Sequence, residues 1–204
     1  SRIKILLLSD KIDTLLVRYI GEETRDKLVK KNVETFSTRI KSTLLYADIR
    51  NFTTLSESQK KMILTWRNHP NVKAYMYNDK EITEAEHFGF IETLKNREDR
   101  RYFLVQDNKS DIGVIDFNAI SKESAIMGLY ANPTLMQKGI GSRLMEAIVT
   151  YVFETLKIQT LKAEVFAENQ RAKALYEKFG FCEKKRKSVN EKEVICMELT
   201  NENR

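Results

Sequence analysis

The sequence predicts a mixed α/β fold, a central sheet with helices on both faces, preceded by an appendage of about 45 residues. Three observations predict it. Apolar positions alternate in short runs after Tyr102 and switch to helical spacing from Ser142 and again from Gln170. The resulting order is strand, strand, strand, helix, strand, helix, strand, strand, and a helical crossover between strands implies a parallel pair at the sheet centre. The length, 204 residues, allows one domain of about 150 residues and a smaller addition.

Taken in order, Ile3, Ile5 and Leu7 suit a short strand, and Ile12, Leu15, Leu16, Tyr19 and Ile20 follow helical spacing up to Gly21. A second helical stretch runs from about Glu22 through Phe36. No motif in residues 1–45 carries chemistry, and a start on Ser1 without an initiator Met is expected to reflect a processed or engineered end. The domain proper is expected over 46–204. Ser56 to Trp66 reads as an amphipathic helix with Ser56 as its cap and Met62, Ile63 and Trp66 on one face. Arg67-Asn68-His69-Pro70 reads as a loop, because proline disfavours helix at the residue before it. Val72 to Tyr77 is a short helix and Thr83 to Asn96 a longer one, with Phe88, Ile91 and Leu94 inward.

The next two runs, Tyr102–Gln106 and Gly113–Asn118, form a hairpin around Asn108-Lys109. Ser124 to Tyr130 is a third strand with an interior glycine, Gly128. Ser142 to Leu156 is a long helix, with Leu144, Ile148, Tyr151 and Val152 in one stripe. The remainder reads as a strand over Thr160–Phe166, a helix over Gln170–Phe179, and a pair over Phe181–Lys187 and Glu193–Leu199.

Composition excludes several classes. Hydrophobic residues at 42% and charged residues at 31% describe an ordinary globular chain. No segment reaches the ~20 apolar residues of a membrane span, and Ile5–Leu8 is too short for a signal peptide, so no membrane partner and a cytoplasmic location are expected. Cys182 and Cys196 are too few for a metal cage and read as reduced thiols in strands. The net charge of +6 is interspersed with acids, which suits a polyanionic small molecule rather than nucleic acid. Lys184 to Lys187 reads as a solvated strand edge.

Two segments carry chemistry. Gln137-Lys138-Gly139-Ile140-Gly141-Ser142 lies between a strand and the long helix. Two glycines one residue apart leave backbone N–H groups open at the positive end of a helix dipole, an anion-binding arrangement. It is neither a P-loop nor a dinucleotide fingerprint. The second is Asn169 to Phe181. Asn169 and Tyr176 fall on one helix face two turns apart, Ala172 between them is small, and Gly180 ends the helix.

Together these segments resemble the GNAT acetyltransferase superfamily, with its Q/R-x-x-G-x-G/A turn and N-x-x-A-x-x-x-Y-x-x-x-G-F block. The second block is complete in Asn169, Ala172, Tyr176, Gly180 and Phe181. The first departs: Met136 stands where the glutamine belongs, and Gln137 follows one residue late. The resemblance implies a GNAT fold whose parallel strand pair splays, with acetyl-CoA as cosubstrate and no metal. Gln137, Lys138, Gly139, Gly141 and Ser142 would hold its pyrophosphate, and Leu129, Tyr130 and Asn169 its pantetheine arm. Tyr176 would protonate the departing thiolate. By position alone, Glu164 on the strand beside the acetyl site could accept the amine's proton, directly or through water, and the alternative that a sugar amine, less basic than lysine, needs no dedicated base stays open.

Residues 48–199, through Trp66-Arg67-Asn68-His69-Pro70, Met76-Tyr77, His87, Phe90 and Gly128-Leu129-Tyr130, are further similar to the N-acetyltransferases of the pseudaminic acid pathway. These act on the 4-amine of UDP-4-amino-4,6-dideoxy-N-acetyl-β-L-altrosamine, which implies a UDP-amino-sugar partner, a product destined for surface glycans such as those of flagellin, and direct attack in a ternary complex. Read by chemistry alone, Arg67 and His87 offer charge and hydrogen bonds, while Met76, Tyr77 and Phe90 offer apolar walls. Two rival readings stay open at this level: an α-amino acetyltransferase of the ribosomal-protein type, and a non-catalytic binding module. A homodimer also stays open, since no motif fixes the oligomeric state.

Overall fold

Seven strands hydrogen-bond into one sheet in the order β1-β2-β3-β4-β5-β7-β6. They are β1 (Asp48–Asn51), β2 (Arg101–Asp107), β3 (Ser110–Asn118), β4 (Ser124–Ala131), β5 (Thr160–Phe166), β6 (Cys182–Val189) and β7 (Lys192–Thr200). The computed structural model describes residues 48–107, 110–135 and 137–203. The strand and helices expected before residue 45, and the Asn108-Lys109 turn, lie outside the described residues. The helices are α1 (Glu57–Asn68), α2 (Pro70–Lys73), α3 (Glu84–Leu94), α4 (Ile140–Thr150) and α5 (Gln170–Lys178).

All neighbouring strands run antiparallel except β4 and β5. The crossover that makes this pair parallel is α4, as the alternation of strand and helix in the sequence requires. Their register covers only Ser124↔Thr160 to Met127↔Ala163. Beyond it, β4 stays bonded to β3 as far as Gly113↔Ala131, and β5 to β7 as far as Phe166↔Val194. Gly128–Ala131 and Glu164–Phe166 therefore diverge, and the sheet opens at its centre.

Each face has its own core. Ile115 and Phe117 of β3 pack with Leu144, Met145 and Ile148 of α4, all essentially without solvent contact. On the other face Leu104 and Val114 pack with Ile63 and Trp66 of α1 and Ile91 and Leu94 of α3. The partition follows from strand alternation, since Val114 and Ile115 must point to opposite faces.

Several elements differ from the sequence-based expectation. β1 was not anticipated: Asp48-Ile49-Arg50-Asn51 holds a single apolar residue, too little for a pattern, and sits at the sheet edge. The expected loop at Arg67-Asn68 is helical. Proline constrains only the residue before it, so α1 runs to Asn68 and His69 alone leaves the helix, at φ −62°, ψ 135°. His69 then caps α2 through Nδ1, which accepts from the Asn71 N–H at 3.2 Å, with Pro70 in the first turn. The short helix is accordingly Pro70–Lys73 rather than Val72–Tyr77.

The long helix ends its α-form at Thr150 and continues as a π-helical turn over Tyr151–Leu156. The wider turn keeps the consecutive bulky residues Val152 and Phe153 both buried. Lys184 to Lys187 lie exposed on the edge strand β6, as expected, and Cys182 and Cys196 are free thiols in β6 and β7.

In α3 the helical phase places His87, Ile91 and Leu94 inward, and Phe88 is only half-buried. Both α1 and α3 begin with a capping box, Ser56 with Gln59 and Thr83 with Glu86. His87 is 6% exposed and its Nε2 lies 3.0 Å from the Lys60 carbonyl, which fixes α3 to α1. Burial lowers the imidazole pKa against the pull of that carbonyl, and the nearby Lys60 charge lowers it further. The unfolded chain therefore binds this proton more readily, so stability should be full above the unfolded value of about 6.5 and fall as pH drops through the lower folded value. In chemical denaturation measured across that range, His87→Gln should remove this decline relative to wild type.

Candidate active site

The glycine turn and the strand opening converge through α4 and α5. Gly139 takes φ +85°, a left-handed conformation that glycine adopts at no steric cost, and serves as the N-cap of α4 without any side-chain cap bond. Gln137, Lys138 and Gly139 are exposed. The first-turn amides of α4 are thus left for an external acceptor, with the positive end of the helix dipole behind them. Gly141 faces α5, where a Cβ would come within 3.2 Å of Leu175 Cδ2. Tertiary structure adds two cations that spacing did not reveal. Lys178 of α5 donates to Ser142 Oγ at 3.1 Å, and Arg143 pairs with Asp107 at the end of β2.

Asn169 is the N-cap of α5, its side chain accepting from the Ala172 N–H at 3.1 Å. Tyr176, 6% exposed, packs against Phe181 with ring centroids 5.7 Å apart. Its hydroxyl has no hydrogen-bond partner among the described residues. Burial, reinforced by the charge of Asp116, raises its pKa, so the phenol is protonated and able to donate.

On the side of α1 and α3, Arg67 donates through Nη2 to the Asn78 carbonyl at 2.8 Å, while Nη1 is buried with no partner among the described residues. Burial lowers the guanidinium pKa, and Tyr130 and Tyr102 are near enough to oppose that. Tyr130 projects from β4 opposite Val114, and Phe90 meets Tyr102 edge to face at 5.0 Å. Leu129 points the other way, into the core under α4. Asn68 holds the chain before α3 with a reciprocal pair, Nδ2 to the Ile82 carbonyl at 2.8 Å and the Ile82 N–H to Oδ1 at 2.9 Å.

Tyr77 and Glu164 form a second group at the mouth of the opening. The Tyr77 hydroxyl donates to Glu164 Oε2, and Lys187 of β6 donates to Oε1 at 2.7 Å. Tyr77 also meets Phe166 edge to face at 5.5 Å, and Asn190 donates to its carbonyl. For Glu164, burial favours the neutral acid. The bonds from Lys187 and Tyr77 and the charges of Lys187 and Lys185 outweigh it, so its pKa is lowered. Met76 is half-buried in the turn after α2.

The structure therefore brings Arg67, Phe90 and Tyr130 together and joins Tyr77 to Glu164, but turns His87 inward to Lys60, two helical turns from Arg67. A carboxylate also escaped the sequence reading. Asp116 of β3 stands between Tyr102 of β2 and Gly128 of β4 in one cross-strand row. A Cβ on residue 128 would lie 2.4 Å from Asp116 Oδ2, so this glycine makes room for the carboxylate. Loss of hydration pushes the Asp116 carboxyl up to about 7, against the Asn118 hydrogen bond and the charge of Arg100. The interior glycine was the one available signal.

Among the described residues, no group of three or more His, Cys, Asp and Glu is placed to hold a metal, and no helix is long and apolar enough to cross a membrane.

Comparisons with known proteins agree with this geometry. The family model described as Acetyltransferase (GNAT) family matches residues 61–181. The chain is 43% identical over 133 residues to acetyltransferase PseH of Campylobacter jejuni, covering 65% of this chain and 83% of that protein. The crystal structure of Campylobacter jejuni N-acetyltransferase PseH in complex with acetyl coenzyme A superposes with TM-score 0.63 at 34% identity, over 76% of this chain and 99% of the other. Spermidine N-acetyltransferase from Vibrio cholerae, in complex with CoA and spermine, shares the fold at TM-score 0.70 and 22% identity, over 77% and 96% of the two chains. An uncapped glycine turn opening α4, beside a sheet split between β4 and β5, suits the pyrophosphate and pantetheine of the nucleotide thioester. The chain belongs to the GNAT acetyltransferase family, and it is an acetyl-CoA-dependent N-acetyltransferase.

Proposed function

We propose that the chain transfers the acetyl group of acetyl-CoA to the 4-amine of UDP-4-amino-4,6-dideoxy-N-acetyl-β-L-altrosamine, a step of pseudaminic acid biosynthesis. The observation that carries the acceptor reading is the half-buried cradle of Arg67, Phe90, Tyr102 and Tyr130 beside the strand opening. A guanidinium nitrogen buried without a partner is costly unless a ligand completes it. The phosphate or carbonyl oxygens of a nucleotide sugar fit that requirement, and the aromatic rings suit a deoxy sugar's apolar face. Identity to PseH over most of that protein's length supports the same pathway. Residues 46–204 are the transferase domain in this reading, with 1–45 an appendage outside its chemistry.

When bound, acetyl-CoA supplies an activated acetyl group. The amides from Gln137 to Ser142 hold its diphosphate, with Lys138 and Lys178 adding positive charge. Backbone groups of Gly128–Ala131, left free by the divergence of β5, bind the arm together with Leu129 and Asn169. Tyr176 holds its phenolic proton for the sulfur that leaves. Tyr77, fixed by Glu164, and Met76 close the acceptor side, and His87 contributes by setting α3 against α1. Neither cysteine lies in a motif suited to holding an acetyl group, which favours direct attack by the amine over an acetyl-enzyme.

Incubation with acetyl-CoA and the nucleotide amino sugar should give a product heavier by one acetyl group, with equimolar free thiol. Absence of that product from protein that binds acetyl-CoA would overturn the acceptor reading. Tyr176→Phe should lower kcat by on the order of 10²-fold while calorimetry shows acetyl-CoA affinity unchanged. Arg67→Ala should raise KM for the nucleotide sugar by roughly 10-fold or more, about 1.4 kcal/mol for a lost charged hydrogen bond, with KM for acetyl-CoA unaltered in the same initial-rate assays.

A further inference from the structure

We propose that Asp116 is the proton acceptor for the attacking amine, and that glycine at 128 gives its carboxylate access to the mouth of the strand opening. This rests on the reading that an amine is acetylated in that opening. Gly128 is the first residue of β4 beyond the last β4–β5 pair, Met127↔Ala163. Asp116 is its direct partner across β3 and β4, so the carboxylate stands at the point where the strands part.

One of its oxygens is held and the other is free. Asn118 Nδ2 donates to Oδ1 at 2.6 Å, and the Asn118 amide oxygen accepts from the Tyr102 hydroxyl at 3.1 Å. This chain fixes the carboxylate plane. Oδ2 has no hydrogen bond among the described residues and lies over Gly128, where any side chain at 128 would collide with it. Glu164, the other carboxylate near the opening, has both oxygens engaged, by Tyr77 and Lys187. An acid held charged by a lysine is the weaker base of the two.

The groups facing Asp116 fit the assignment. Tyr102 of β2, Tyr130 of β4 and Tyr176 of α5 are phenols that remain protonated, and Arg100 before β2 is the cation that bears on it. Arg67 of α1 reaches Tyr102 and Tyr130 rather than the carboxylate. A desolvated carboxyl with a value near neutrality is suited to general base catalysis at cellular pH. The charge of Asp116 bears on Tyr176, so the acceptor and the donor lie within electrostatic reach of one another.

The proton balance closes. The amine nitrogen forms the new C–N bond, the thioester C–S bond breaks, and the nitrogen's proton passes to Asp116 Oδ2. Tyr176 protonates the departing sulfur, and solvent returns a proton from Asp116 to the phenolate. Amine and thioester give amide and thiol with no other reactant.

The test compares wild type with Asp116→Asn, which keeps shape and removes the proton acceptor. We expect kcat to fall by on the order of 10²-fold or more, acetyl-CoA affinity to hold, and the acidic limb of the kcat/KM profile to lose one proton. Activity equal to wild type, or a low kcat with an unchanged acidic limb, would overturn the assignment. Should Asp116→Asn not fold, Glu164→Gln decides: a retained acidic limb supports Asp116, and its loss makes Glu164 the base. If wild type acetylates another amine but not the nucleotide sugar, the acceptor reading alone fails, and the Asp116 comparison is made on that amine.

Discussion

The parallel pairing of β4 and β5 is short because each strand is claimed by a different antiparallel neighbour. β4 follows β3 through Ala131 and β5 follows β7 through Phe166, while the two remain joined only as far as Met127 and Ala163. Right-handed sheet twist accumulates on both sides and is released where the weakest pairing lies. The proposed site is arranged around that release. It leaves backbone donors and acceptors unpaired within the fold, a state that is expensive unless a ligand completes it. It also brings the first turn of α4 and the Tyr176 face of α5 to one side, and the α1–α3 cradle to the other.

The two faces divide the labour. Under α4 the middle of the sheet is apolar, with Ile115, Phe117, Leu144 and Ile148 locked together. On the opposite face the apolar cluster stops at Val114. The next row outward is Tyr102, Asp116 and Gly128, followed by Asn118. A sheet face that changes from apolar to polar within two residues can be rigid at one end and chemically active at the other. The hydrogen bonds from Tyr102 through Asn118 to Asp116 satisfy part of the cost of placing a carboxyl there.

Much of this was legible beforehand. Strands β2 to β7 and helices α1, α3, α4 and α5 fell close to where periodicity placed them, because their apolar positions recur at strand or helix spacing. The glycine turn and the Asn169–Tyr176 block are local, each confined to one turn or one helix. The misreadings have local causes too. His87 offered charge and hydrogen bonds for an acceptor, yet helical phase turns it inward to Lys60. Arg67 and Asn68 looked like loop because Pro70 follows, yet one extended residue, His69, suffices to change direction.

By itself the sequence determined the order of elements from β2 onward, the helical crossover with its parallel strand pair, the paired glycines before α4 and the family resemblance. These depend on neighbours within about ten positions. Tertiary structure alone decided which side chains share a site. Arg67 comes within electrostatic reach of Tyr130, Tyr77 meets Glu164 and Lys187, and Lys178 meets Ser142 across separations of tens of residues. It also decided that Asp116 sits over Gly128. Register between strands sets that contact, and register comes from the packing of the whole sheet, which no single stretch of chain encodes.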